Sequence, residues 1–418
     1  MTENRPLQAK FGRVMSTTPF RKDAEVIGLI GVAHLLSHFL QLVVAPLFPL
    51  LKDEFGIGYA ALGLMVSVMY TVSGVSQTLA GFIVDRYGAR RVLLAGMTLF
   101  SLGILLTGLV TSYWMLLAVA VMTGMGNSVF HPADFAILNA KVNPARLGYA
   151  FSTHGIGGNF GWLAAPVFSI AMSTAYGWRT TLVVAGALCL VLTAVLASRT
   201  AIYVAPAEAG APRGRRGAKL GADVRVLLAR PILICFAFFT FYSMALVGLQ
   251  TFSVSVTTAL YHAPLVTASA ALTGFLFGAI AGIVAGGVVA SRSSRHDAVA
   301  ASGLLVGAAL ALVLASGALP LSLLVATMTL IGFATAATQP SRDILVRGAT
   351  PPGSVGKVYG FVYSGLDLGG SISPLIFGWL LDLGKPQWVF GAVALFMLVT
   401  VATVVTLRPR AAAAQLSS

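Results

Sequence analysis

Apolar runs of about 20 residues recur along the whole chain of 418 residues, and they restrict its fold more than any other feature. A helix needs about 20 apolar residues to cross the hydrocarbon core of a bilayer, because each residue adds only about 1.5 Å. Charged residues make up 10% of the chain and hydrophobic residues 57%, whereas soluble domains carry about 25% charged residues. The sequence therefore predicts an all-α integral membrane protein and excludes an ordinary water-soluble enzyme.

The runs predict twelve membrane-spanning helices, called spans 1 to 12. A basic segment rich in Pro, Gly and Ala at 199–230 separates spans 6 and 7, and its composition is typical of a flexible, solvated linker. We therefore predict an N-terminal tail at 1–23, a six-helix bundle at 24–198, a second bundle at 231–407 and a C-terminal tail at 408–418. The predicted spans are 24–51, 61–84, 92–111, 113–138, 148–172, 180–198, 231–258, 267–290, 298–316, 321–346, 356–383 and 388–407.

The positions of the basic residues orient the chain in the membrane. Of 27 Lys and Arg residues, 24 lie in the tails, in alternate connections or, for Arg342 and Lys357, near the span ends next to such a connection, while the remaining connections hold only Lys52, Arg179 and Lys385. Basic residues stay on the cytoplasmic side of helical membrane proteins, so we expect both termini in the cytoplasm and a multi-pass protein of a bacterial-type inner membrane. This distribution explains the net charge of +14 without nucleic-acid binding.

Several chemistries find no support in the sequence. Cys189 and Cys235 lie inside apolar runs, so a disulfide framework is not expected, and no Cys/His spacing typical of a metal site occurs. The chain has no phosphate-binding loop for ATP-driven transport and no H-E-x-x-H motif or paired interfacial acids for a membrane-embedded enzyme. We therefore predict a protein that is not an enzyme and that needs no metal or cofactor.

The two six-span parts resemble each other. A shift of 208 residues aligns 124–166 with 332–374 without a gap, and all seven identities are Gly or Pro. These residue types set backbone bends and close helix approach, so their recurrence indicates two parallel repeats, an architecture common among transporters. The first set, Gly124, Pro132, Pro144, Gly148, Gly157, Gly161 and Pro166, matches Gly332, Pro340, Pro352, Gly356, Gly365, Gly369 and Pro374.

The connection between spans 2 and 3 carries the pattern G-x-x-x-D-R-x-G-x-R-R, and it resembles the loop signature of the major facilitator superfamily. A short turn requires Gly, and Arg residues hold the loop at the anionic cytoplasmic leaflet. An ordinary basic loop is the alternative. The resemblance implies a major facilitator fold and a gating role for Gly81, Asp85, Arg86, Gly88, Arg90 and Arg91.

Span 5 is similar to the Gly-rich, Pro-terminated fifth helix of the antiporter branches of that superfamily. The similarity rests on Gly157, Gly161 and Pro166, and a generic tight helix crossing explains these residues equally well.

A closer resemblance links the first half to the fosmidomycin-resistance-type branch. The chain departs from that branch at two places. It has His38 where the branch tends to have an Asp after the span 1 histidine, and it has Ala133, followed by Asp134, where the branch tends to have an acid directly after His-Pro. The residues that carry the resemblance are His34, Pro46, Pro49, Gln77, Phe130-His131-Pro132 and Gly157-Gly158-Asn159.

Ionisable residues within spans mark ion or substrate pathways by default, because burying them in hydrocarbon is costly. Asp367 lies about halfway along span 11 and is the first candidate for a reversibly protonated carrier. A structural acid bonded to a neighbouring helix is the alternative. His34 and His38 lie on one face of span 1 together with Gln41, and they would assist proton transfer or simply pack as neutral side chains.

In this superfamily the first and fourth spans of each half line the central cavity, so their polar residues are candidates for substrate contact. The aromatic residues of spans 7 and 11 are candidates as well, although packing against lipid or helices is the alternative for them. Arg342 and Asp343 are compatible with substrate binding or with a gating pair. The candidates are Gln41, Asn127, His131, Asp134, Tyr242, Gln250, Gln339, Arg342 and Tyr363.

Together these features predict a secondary active transporter that acts as a monomer and moves a small organic solute by alternating access, with protons as the coupling ion. We expect proton-coupled efflux by antiport. The alternatives are proton-coupled uptake of a small organic anion, attracted by His34, His38 and Arg342, and a receptor or scaffold that transports nothing.

Overall fold

The computed structural model describes residues 20–199, 225–351 and 355–406, and no strand occurs among these residues. The predicted linker at 199–230 and the two predicted tails therefore fall largely outside the described residues. The helices are Phe20–Leu42, Phe48–Phe55, Tyr59–Tyr87, Ala89–Thr107, Tyr113–Asn127, Phe130–Lys141, Leu147–Ala197, Arg230–Gln250, Ser253–Tyr261, Leu265–Arg292, His296–Ala315, Leu324–Ala336, Gln339–Ala349, Val355–Asp382 and Pro386–Thr406.

The predicted twelve-span fold is confirmed once these helices are assigned to spans. Leu147–Ala197 supplies both span 5 and span 6, because Gly177 has a φ of +78° and breaks the helix there. Only glycine adopts such a backbone conformation without strain, so the two spans are joined by a single residue. The described part of span 1 includes helical residues from Phe20, before the predicted residue 24, and an acidic residue, Asp23, lies near this end of the helix, where a negative charge favours a helix.

Spans 1, 4, 7 and 10 each consist of two consecutive helices, which the sequence analysis did not anticipate. The helices are interrupted at 43–47, 128–129, 251–252 and 337–338. Proline lies at or just after the interruptions in spans 1, 4 and 10, where its ring and missing N–H disturb the preceding turn. The predicted spans are present, and the structure adds a break within each of them. The first and fourth spans of each half therefore share the same feature, an interruption of the helix.

The two halves contact each other through span 2 against span 11 and span 5 against span 8. We call the end of the molecule that carries Phe20 and Thr406 the basic end, and the other the opposite end. Toward the opposite end, the Phe48 and Phe252 rings lie 5.9 Å apart across the boundary between the halves. The hydroxyl of Ser269 on span 8 donates to the Pro166 carbonyl on span 5, at 3.4 Å.

Span 2 and span 11 diverge toward the basic end. Near the middle, a Cβ placed on Gly74 of span 2 would lie 3.1 Å from the Asp367 Cβ of span 11. Gly81 and Gly360 follow two turns closer to the basic end on the same faces, and a Cβ on either would have no neighbour within 4 Å. The space between the halves is therefore closed at the opposite end and open at the basic end.

Candidate functional site

Four histidines and one aspartate from spans 1, 4 and 5 meet inside the first half, and we call them the histidine cluster: His34, His38, His131, His154 and Asp134. The His34 ring stacks on His154 with 3.5 Å between ring centroids and lies 4.3 Å from His38 and 5.3 Å from His131. His34, His154 and Asp134 are buried, whereas His131 is exposed. Four predicted candidates of spans 1 and 4, His34, His38, His131 and Asp134, thus lie together.

Asp134 is the acidic centre of this cluster and is fully buried. Its Oδ2 lies 3.0 Å from Nε2 of His154 and 3.6 Å from Nδ1 of His34. Its Oδ1 and the Nδ1 of His34 are buried without a hydrogen-bond partner among the described residues. Unpaired polar atoms in such a place are costly, so the cluster has unused capacity to bind a proton, a polar ligand or a metal ion.

His154 is the functional candidate that the sequence analysis missed. It lies on span 5, 20 residues after Asp134 and 120 residues after His34, so no local spacing links the three. The available signal was an ionisable residue inside an apolar span, one turn before Gly158.

Gly158 makes room for the histidine rings. A Cβ at this position would lie 2.7 Å from His38 Nδ1 and 2.9 Å from His34 Cδ2. We therefore expect Gly158→Ala to displace both rings and to lower transport by at least about tenfold, since misplaced site residues cost large factors in rate. Gly155→Ala on the same helix is the matched control, because a Cβ there meets nothing within 4 Å. Flux in proteoliposomes measures the effect, and equal rates for the two variants would contradict this role.

The other predicted residues of span 5 fasten this helix to its neighbours. A Cβ on Gly157 would lie 2.6 Å from the Gly31 carbonyl oxygen, and Gly161 packs on the Leu35 carbonyl, so both glycines allow span 5 to lie close against span 1. Pro166 accepts the hydrogen bond from Ser269 of the second half. These contacts explain the residues structurally, and their association with antiport stays a prediction.

Gln41 and Asn127, the other predicted candidates of spans 1 and 4, bond residues outside the histidine cluster. The Trp162 ring stacks on His38 at 4.2 Å, and its Nε1–H donates to Gln41 Oε1 at 2.9 Å. Gln41 also lines a separate cavity together with Tyr70 and Gln250. Asn127 donates to the Ser73 hydroxyl at 2.9 Å and so ties span 4 to span 2.

The second half contains a corresponding arginine cluster, formed by Arg342, Asp343, Phe239, Tyr242 and Tyr363. Arg342 is buried, its guanidinium lies 4.7 Å from the Phe239 ring centroid and 5.7 Å from that of Tyr242, and its Nε is 2.9 Å from Asp343 Oδ1. The Tyr363 hydroxyl donates to Asp343 Oδ1 at 3.4 Å.

Gln339 joins the arginine cluster, donating to the Tyr242 hydroxyl at 3.3 Å. Four predicted candidates of the second half thus lie together: Tyr242, Gln339, Arg342 and Tyr363. The fifth, Gln250, lies apart, in the cavity that also contains Gln41.

Asp367 lies apart from both clusters, at the boundary between the halves. It is partly buried on span 11, with Gly74 and Tyr70 of span 2 close to its turn of the helix. No hydrogen-bond or ion-pair partner for its carboxylate occurs within residues 20–199, 225–351 and 355–406. The structural alternative, an acid bonded to a neighbouring helix, therefore gains no support.

The six loop residues of the superfamily signature lie at the basic end. Gly88 has a φ of +87° and alone connects spans 2 and 3, which explains its requirement for glycine. Arg90 donates to the Ala197 carbonyl at the end of span 6. Asp85 and Arg86, like Arg91, are exposed, and Gly81 has open space beside it.

Sequence comparison now identifies the family. The chain matches the profile of the Major Facilitator Superfamily over residues 30–261 and 242–418. The chain belongs to this superfamily. Its members are transporters, so the predictions of a secondary transporter and of a protein that is not an enzyme are confirmed.

Individual relatives agree with this family. The fosmidomycin resistance protein of Escherichia coli K12 is 29% identical over 295 residues, which cover 68% of this chain and 69% of that protein. The uncharacterized MFS-type transporter YfnC of Bacillus subtilis 168 is 28% identical over 399 residues, 90% of each chain. The predicted resemblance is thereby confirmed, and bacterial transporter relatives support an inner-membrane location.

A solved structure agrees with the fold. A bacterial homolog of the human lysosomal transporter Spinster, in an inward-facing and occupied conformation, superimposes with a TM-score of 0.75 at 15% identity, covering 93% of this chain and 97% of that one.

Proposed function

We propose that this transporter is a proton-coupled exporter that exchanges a small organic solute for protons and works as a monomer. Both termini lie in the cytoplasm in this proposal, because the excess of Lys and Arg at the basic end follows the positive-inside rule. The open space between the halves then faces the cytoplasm, where an exporter collects its substrate. Rocking the halves would close the basic end and open the opposite end.

The observation that carries the proposal is the place of Asp367. A coupling acid must change its surroundings between the two states, because only a difference in affinity shifts a conformational equilibrium. Asp367 lies against span 2 of the other half, on a surface that changes when the halves move apart. Its proton would be taken up in one state and released in the other, while His34 and His38 assist from the first half.

The substrate site in this proposal lies between the histidine cluster and the arginine cluster, which come from opposite halves. Tyr363 and His131 are exposed and available to a ligand. The name of the fosmidomycin resistance protein is consistent with export of a small organic compound. Proton-coupled uptake of an organic anion is the second candidate, and the buried Arg342 favours it; however, Asp343 already balances that charge.

Flux measurements in proteoliposomes of known orientation test the proposal. We expect a library of small organic solutes to yield at least one whose movement is driven by an imposed pH gradient, with proton and solute moving in opposite directions. A pH-sensitive dye reports the proton movement, and a protonophore should abolish the driven flux. Movement of proton and solute in the same direction would instead support uptake by symport, and absence of any flux would support a receptor or scaffold.

A further inference from the structure

We propose that His34, His131, His154 and Asp134 form a binding site for a divalent transition-metal ion of the Zn²⁺ class. The inference depends on neither the direction of transport nor its coupling ion. One ring nitrogen from each of the three histidines lies within 4.8 Å of the other two. Asp134 Oδ2 lies 3.0 Å from a ring nitrogen of His154 and 3.6 Å from one of His34, so a fourth donor is adjacent.

The distances fit a tetrahedral site after small side-chain movements. Bonds of about 2.0–2.1 Å from Zn²⁺ to each ligand place neighbouring tetrahedral ligands about 3.4 Å apart. The two distances from Asp134 already bracket that value. The histidine nitrogens lie up to 4.8 Å apart, so metal binding requires their rings to rotate, and His131, the exposed member of the set, has room to do so.

Buried atoms without partners support a bound ligand independently. Nδ1 of His34 and Oδ1 of Asp134 are buried and accept no hydrogen bond among the described residues. Leaving such atoms unpaired in a nonpolar interior is costly, and a metal ion among the four side chains would compensate for that cost.

The donor set selects the class of metal. Three imidazoles and one carboxylate suit borderline divalent ions such as Zn²⁺, Co²⁺ and Ni²⁺, whereas Mg²⁺ and Ca²⁺ require oxygen ligands. Cys189 and Cys235 are buried elsewhere, on spans 6 and 7, so no thiolate joins the set. His131 is the exposed member of the set, which leaves room for an exchangeable ligand.

Metal binding to purified protein tests the inference. The chain should carry an affinity tag without histidine, be treated with chelator, and then be titrated with Zn²⁺ against a chromophoric chelator. We expect one Zn²⁺ per chain and no competition from Mg²⁺ or Ca²⁺. The X-ray absorption spectrum of the Zn²⁺-loaded wild-type protein at the Zn K-edge should show imidazole ligands, about three in number. Absence of stoichiometric binding, or a spectrum without imidazole, would overturn the inference whatever the variants do.

Two variants locate the site. His131→Gln and His154→Gln should each weaken Zn²⁺ binding by at least about tenfold. His296→Gln is the matched control, since His296 lies outside the histidine cluster, partly buried on span 9 of the second half, where it bonds Ser341 of span 10. Zn²⁺ should raise the thermal midpoint of the wild type and of the control, but not of the two site variants. Equal affinity in all four proteins would overturn the assignment.

Discussion

Replacing Asp367 with Asn is expected to abolish transport driven by a pH gradient while preserving exchange of substrate across the membrane. Asn has the same shape and cannot release a proton, so the change removes the coupling reaction and leaves the contact with span 2 intact. We expect the gradient-driven rate to fall by at least about tenfold, which corresponds to about 1.4 kcal/mol in the barrier. Gradient-driven flux and equilibrium exchange, measured in the same proteoliposomes, separate the two activities.

The control for Asp367→Asn is Glu54→Gln, which also neutralises one acid. Glu54 is exposed and pairs with Arg179 at 2.9 Å, and exposed ion pairs contribute little to stability. We expect this variant to transport like the wild type under both conditions. If Asp367→Asn carried substrate uphill at the wild-type rate, Asp367 would not be the coupling acid, although the fold and the family would be unaffected.

Replacing Asp382 with Ala is expected to shift the protein toward the state that is closed at the basic end. The Asp382 carboxylate on span 11 accepts hydrogen bonds from the backbone N–H groups of Tyr59 at 2.7 Å and of Ala60 at 2.8 Å. These groups form the first turn of span 2, whose own N-cap residue, Gly58, has no side chain to cap them. Asp382 therefore caps a helix of the other half, and only while the opposite end is closed.

Loss of a helix cap costs about 0.5–2 kcal/mol, so the ratio of the two states should change by about 2- to 30-fold. Spin labels at Tyr87→Cys and Ser291→Cys, both exposed at the basic end of different halves, report the change as a larger population of short distances. The labelling sites should be introduced into the variant C189A/C235A, so that no native cysteine reacts with the spin label. Asp53→Ala is the matched control, since Asp53, like Asp382, is an exposed acid at the opposite end. Identical distance distributions in Asp382→Ala and Asp53→Ala would contradict the capping role.

The structure assigns different environments to residues that looked alike in the sequence. Tyr363 and Asp367 lie one helical turn apart on span 11, so their spacing alone puts them on the same face of the helix. Tyr363 joins the arginine cluster, whereas Asp367 contacts span 2. Likewise Tyr242 lies in that cluster, and Gln250 on the same span lies in a different cavity. Sequence spacing therefore identified the polar residues without giving their partners.

The sequence by itself determined the twelve spans, because the length and hydropathy of each segment decide whether it crosses a bilayer. It also indicated a short glycine-containing turn between spans 2 and 3, and the structure reduces that turn to Gly88 alone, whose positive φ suits glycine. Only the tertiary structure brought His154 to His34 and Asp134, and only it decided which end of the molecule is closed. Helices that are apolar on every side carry little amphipathic signal, so their rotation and partners are set by packing of small residues such as Gly158.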